Sequence, residues 1–152
     1  MADDSEDGIE LDGEAGVLTS PLDDFLGYRM RRASMVMMAD LLAALRPLGL
    51  SAGEASFLIL IGANPGCRQS DVGRTLDIKR ANLTPLVARM KAKGLVIDAP
   101  IDGRSRSLTL TADGIALRDD ALREVAASNQ RFSQRMTLSE QALITALNDI
   151  AG

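Results

Sequence analysis

Between Ser51 and Leu110 the apolar residues switch from helical to extended spacing, and this switch limits the fold of the 152-residue chain more than any other feature. Ser51 and Glu54 have the spacing of a capping box, in which each side chain satisfies the other's backbone donor, ahead of the apolar run Ala55 to Ile61. That helix should stop at Gly62-Ala63-Asn64-Pro65-Gly66, a turn-forming stretch. Val72 and Leu76 then mark a short helix over Gln69 to Leu76, and Leu83, Leu86, Val87 and Met90 line one face of another from about Arg80 to Lys93. Gly94 stands where a left-handed C-cap belongs. Two β-prone runs follow, Leu95 to Ile97 and Ser107 to Leu110. They are separated by a polar, basic turn that contains Pro100 and Gly103. A helix-turn-helix followed by a two-stranded hairpin accounts for the order.

Long helices are expected on both sides. Ser20 and Pro21 supply an N-cap and a proline at the first helical position, and apolar residues from Leu22 to Leu45 recur at helical spacing up to Pro47. The stripe, widened by Tyr28, Met35 and Met38, is broad enough to bury surface on more than one side of the helix. Thr111 is suited to cap a helix reaching about Gln134, with Ile115, Leu122 and Val125 inward. Ser139, or Thr137 before it, can cap a last helix containing Leu143, Ile144, Leu147 and Ile150. The expected fold class is therefore mainly α with a small β-hairpin wing, in one domain over residues 20–152 with the winged helix-turn-helix at about 51–111.

The formal net charge is −4, which is wrong for a polyanion binder until the charges are placed along the chain. Residues 1–27 carry nine acidic groups and no basic one, leaving +5 for the remainder. Residues 68–106 alone carry nine Lys or Arg against four Asp, and it is local charge that a phosphate meets. Residues 1–19 are acidic with little periodic apolar content, so they are expected to be a flexible, solubilising tail. No apolar run approaches the roughly 18 residues that span a bilayer, and the N-terminus lacks the pattern of a signal peptide. The expectation is a cytoplasmic protein with no membrane partner. The chain has no histidine, one cysteine, no glycine loop for phosphate and no metal-ligand cluster, so neither an enzyme nor a cofactor is expected.

The basic side chains fall on two elements. Lys79, Arg80, Arg89, Lys91 and Lys93 belong to or abut the second short helix, and Arg104 and Arg106 lie at the hairpin. A helix fits the major groove of B-DNA and a hairpin beside it can reach the minor groove, so this is an arrangement suited to docking on double-stranded DNA. Arg89 has a second reading, as solvated surface or the partner of an acidic neighbour. A winged helix used only for protein contacts is the rival function.

One stretch is more specific. Asp102, Arg104, Leu108, Leu110, Thr111 and Gly114 stand at the spacing of the D-x-R-x-x-x-L-x-L-T-x-x-G motif of the MarR family of bacterial transcriptional regulators, after Lys93-Gly94-Leu95-Val96. Over residues 22–150 the chain resembles that family. The resemblance implies that Arg104 enters the minor groove, oriented by Asp102; the alternative, compatible with it, is an Asp102–Arg104 bridge that braces the turn. It implies that Arg80, Ala81, Asn82 and Thr84 read bases, and that Lys79 and Arg89 contact phosphates. Leu108, Leu110 and Gly114 would be structural. Leu83-Thr84-Pro85-Leu86 is similar to a stretch of the peroxide-sensing branch, but the sensing cysteine of that branch lies in the first long helix, which has none here. Cys67 is then a small packing residue.

The resemblance further implies that helices at about 20–46 and 112–150 interlock into a homodimer, which would read a pseudo-palindromic site. Repression is expected over activation because blocking a promoter requires only occupancy. The resemblance also implies a small-molecule effector, an aromatic acid or its thioester. Arg29, Arg31 or Arg32 would receive its anionic group, and Met35 and Met38, with Met30 and Met37, would line an adaptable cleft. Core packing is the alternative for the methionines.

Overall fold

A computed structural model describes residues 18–103 and 105–151. The chain divides into two compact units, Met1–Ala33 and Ser34–Gly152. The acidic segment before Leu18 and the wing residue Arg104 lie outside the described residues.

In the first unit the sequence expectation needs correction. Ser20 and Pro21 open only a 3-10 turn, Pro21–Asp24, and Phe25 is extended (φ −96°, ψ 123°). The long helix α1 starts afterwards and runs Leu26–Leu45. A proline at the first position suits a tight turn as well as a helix, so the start signal was real but its product was short.

In the second unit α2 (Ala52–Ala63) starts from the expected capping box, with the Ser51 side chain accepting from the Glu54 amide. Strand β1 (Cys67–Arg68) leads into α3 (Gln69–Thr75), then α4 (Arg80–Ala92), β2 (Val96–Pro100), β3 (Arg106–Leu110), α5 (Ala112–Ser133) and α6 (Glu140–Ala151). The turn between α3 and α4 puts Asp77 at φ 50°, a left-handed conformation that Asp tolerates better than most residues. Gly94 has φ 71°, as its C-cap position requires.

The sheet has three strands in the order β1-β3-β2, all antiparallel. The expected hairpin is its larger part, with Val96 opposite Leu110 and Pro100 opposite Arg106. Two details differ from expectation. β2 extends to Pro100, which an edge strand can accept because the missing N–H need not face a neighbour. β1 adds an outer strand that pairs Cys67 with Leu108.

The core is aliphatic, as 3% aromatic content requires. Phe57, Leu58 and Ile61 of α2, Val72 of α3, Met90 of α4 and Leu108 of β3 are all within 1% of full burial. Leu83, Leu86 and Val87 join them, so the predicted apolar face of α4 is the inward one.

α5 departs from the expectation at Ile115 and Leu122, while Val125 is half-buried. Its buried residues are Gly114, Ala121 and Ser128, seven apart, while Ile115 and Leu122 are about two-fifths exposed. Small side chains let α5 approach its neighbour closely: a Cβ on Gly62 of α2 would stand 2.9 Å from the Arg118 guanidinium. Ile115 and Leu122 turn outward, whereas Leu117 packs against the core. Thr111 caps α5 as expected, accepting from the Gly114 amide at 3.0 Å and donating to the Gly94 carbonyl at 2.7 Å. Ser139 caps α6 through the Ala142 amide, 3.2 Å away.

Candidate nucleic-acid interface

The first turn of α4 positions the predicted base readers. Lys79 is its N-cap residue, its carbonyl accepting from the amides of Asn82 (2.8 Å) and Leu83 (3.0 Å). No side chain caps this end, so the partial positive charge of the helix terminus is left for an external anion. Lys79, Arg80, Ala81, Asn82 and Thr84 are all exposed, and Lys79 and Arg80 have no ion pair among the described residues. The Thr84 hydroxyl donates to the Arg80 carbonyl at 3.1 Å, which fixes its direction but leaves its lone pairs available. Pro85 sits inside α4, exposed on the side away from the core. It costs the helix one hydrogen bond without breaking it.

Lys79, Arg80 and Thr84 border an open cleft of about 670 Å³ between α3, the start of α4 and β3, whereas Ala81 and Asn82 are exposed outside its walls. Sequence reasoning reached Lys79, Arg80, Thr84 and Arg106 on its walls, and missed Arg68, Gln69, Ser70, Arg74 and Ser105. The available signal was the polar Arg68-Gln69-Ser70 opening of α3, where a first helix-turn-helix helix would meet the DNA backbone. Arg68 crosses to the wing, donating to the Ser105 hydroxyl at 3.3 Å and standing 3.7 Å from the Asp102 carboxylate. Asp102 in turn accepts from the Ser105 amide at 2.8 Å and so braces the turn.

The remaining basic residues have partners within the protein. Arg89 Nε is 3.0 Å and Lys93 Nζ 3.2 Å from Glu54 Oε1. Lys91 and Arg106 both pair with Asp98 of β2. Burial alone would raise the Glu54 carboxyl, but the Ser51 amide, Arg89 and Lys93 outweigh it and bring it down to about 2. Hydrogen bonds from Lys91 and then Arg106 hold Asp98 below the usual carboxylate range. Arg89 therefore has the acidic partner that its second reading required.

Cys67 is half-buried in β1, and burial, with the charge of Asp71 adding to it, pushes its thiol up. A raised thiol is a poor nucleophile at neutral pH.

The predicted effector residues lie on α1. Asp23 faces both Arg29 (3.7 Å) and Arg32 (3.8 Å), and Arg31 lies 5.2 Å over the Tyr28 ring. Met35 and Met38 are exposed by 60% and 45%, so neither packs in the core.

Among the described residues no group of His, Cys, Asp or Glu is placed to hold a metal ion, and no single helix is long and apolar enough to cross a membrane.

An uncapped basic helix beside a small antiparallel wing defines a winged helix-turn-helix protein. Comparison with known proteins gives the particular group. Residues 48–105 match the model of the MarR family. The HTH-type transcriptional repressor Rv2887 of Mycobacterium tuberculosis is 30% identical over 118 residues, covering 76% of this chain and 85% of the relative. A solved structure of the transcriptional repressor CouR bound to a 23-mer DNA duplex matches with a TM-score of 0.80 and 32% identity, covering 86% of this chain and 95% of that one. CouR bound to p-coumaroyl-CoA matches with a TM-score of 0.78 and 28% identity, covering 89% and 97%. The chain belongs to the MarR family, and the relatives named here are regulators of transcription rather than enzymes.

Proposed function

We propose that this chain is a cytoplasmic, non-enzymatic transcriptional repressor that binds a pseudo-palindromic DNA site as a homodimer and is released by a small molecule. The observation that carries the reading is the exposed, uncapped start of α4, where Lys79, Arg80 and Thr84 meet a cleft walled by the wing and Asn82 is exposed on the same turn. Asn82 suits adenine and Arg80 guanine in the major groove. Lys79, with Arg68 and Arg74 on the neighbouring wall, suits backbone phosphate. In this reading the winged helix-turn-helix at about 51–111 docks on the duplex, and the helices at about 20–46 and 112–150 join two copies. Arg104, outside the described residues, is assigned to the minor groove on the strength of the motif it shares with the family.

The effector in this reading is an aromatic acid or its thioester. Its support is the similar repressor solved with p-coumaroyl-CoA. Release follows from population shift, because an effector that prefers the form with misplaced recognition helices weakens DNA binding by its differential affinity.

The test is binding of the purified protein to labelled DNA from upstream of its own gene at several salt concentrations, with Arg104→Ala alongside. One dimer per site is expected, weakened steeply by salt and by the substitution. If neither that fragment nor random fragments gave salt-sensitive binding, the DNA reading would be wrong.

A further inference from the structure

Glu54 is the one buried charged residue among the described residues. Its Oε2 accepts from the Ser51 amide at 2.9 Å, so the capping box at the start of α2 fixes the direction of the carboxylate. Its Oε1 receives Arg89 of the last turn of α4 and Lys93, the C-cap residue four positions on and therefore on the same side of the helix. On β2, Asp98 takes Lys91 of the same helix, together with Arg106 of β3. The C-terminal end of α4 is thus tied by carboxylates to α2 and to the wing sheet, while its N-terminal end carries Lys79 and Arg80, which have no ion pair among the described residues.

We propose that Glu54, acting through Arg89 and Lys93, is a positioning residue that sets the angle at which α4 meets DNA, and that these two cations are anchors rather than phosphate contacts. The proposal rests on the DNA-binding reading. A phosphate contact by Arg89 or Lys93 would divide that cation between the phosphate and a carboxylate that is only 8% exposed, so any movement of the cation towards DNA leaves the buried charge less well compensated. Lys79 and Arg80 face no such cost. The recognition helix then has a division of labour along its length: affinity and base contacts from the first turn, orientation from the last two.

Salt dependence separates the two roles. Each lost phosphate contact flattens the dependence of log K on log salt concentration by about 0.9, whereas a misaimed helix loses base contacts and leaves the slope alone. Fluorescence anisotropy would be measured over a salt series on two duplexes, the fragment upstream of the gene and a scrambled one of equal length. The proteins would be wild type, Lys79→Ala, Arg89→Gln and Glu54→Gln. Lys79→Ala should weaken both duplexes alike and flatten the slope. Arg89→Gln and Glu54→Gln should keep the wild-type slope and lose about tenfold or more in affinity for the upstream fragment, so that discrimination falls. A slope flattened by Arg89→Gln as it is by Lys79→Ala, or full discrimination retained in Glu54→Gln, would overturn the proposal. Thermal melts by circular dichroism establish that each variant is folded. If Glu54→Gln is not, Arg89→Gln and Lys93→Gln, at exposed positions, decide the outcome. Wild type without salt-sensitive binding would instead refute the DNA reading itself.

Discussion

The carboxylate of Glu54 makes the stability of this protein depend on acid in a way that can be worked out from its surroundings. Its ordinary value is 4.5 and its value in the fold about 2, so folding favours the charged form. The contribution is fully present above about pH 4.5 and is lost as the pH falls towards 2. A shift of that size corresponds to about 3 kcal/mol. Urea unfolding at a series of pH values should show Glu54→Gln less stable than wild type at pH 7 by about that amount, with the difference closing below pH 4.5. Asp98 and Asp40 are shifted the same way, Asp40 by Arg131 and Ser128, so wild type also loses other contributions in acid. Only the difference between the two proteins isolates Glu54, and a difference independent of pH would refute the assignment.

At the scale of elements, most of the fold was legible because its signals are local. The capping box at Ser51, the apolar face of α4 and the cap at Thr111 each depend on residues within a turn or two of one another. What was not legible depends on partners distant in sequence. β1 is two residues long and exists because Leu108, some forty residues on, offers it an edge. The facing of α5 is decided by partners distant in sequence, Gly114 lying against the Leu95 carbonyl and Ser128 donating to Asp40 of α1, where periodicity alone favoured Ile115 and Leu122. The candidate site divides in the same way. The exposed start of α4 could be read from its sequence, but a count of charges could not show that Glu54 and Asp98 had already engaged Arg89, Lys93, Lys91 and Arg106. Gly114, which the motif marked as structural, gives the prediction for this scale. A Cβ there would lie 2.0 Å from the Leu95 carbonyl oxygen, a backbone atom that cannot swing aside. Gly114→Ala should therefore separate α5 from the α4–β2 turn and cost about 3 kcal/mol. Tm should fall by about 10 °C in a thermal melt, and an unchanged Tm would show that the turn gives way.

For the whole molecule, the outward residues of α5 and α6 carry the argument. Ile115 and Leu122 of α5 and Ile144, Leu147 and Ile150 of α6 are between 38% and 61% exposed in the single chain. α6 has no buried residue and is fastened to α5 by polar bonds, Asn129 and Ser133 donating to Glu140 at 2.6 and 2.7 Å. An apolar face held in place by polar contacts at its edge is suited to a second copy of the same chain, as in a two-fold interface. Such an interface would also supply the second recognition helix, about 34 Å from the first, that a pseudo-palindrome requires. The double variant Leu122→Glu, Leu147→Glu should keep its helical circular dichroism, since neither side chain belongs to the core of its own chain. It should sediment as a monomer where wild type sediments as a dimer. With only one half-site engaged at a time, its affinity for the upstream fragment should fall by a factor of about 100 or more. A variant that remained dimeric would place the interface on other surfaces, and a monomer that kept full affinity would show that one copy suffices for recognition.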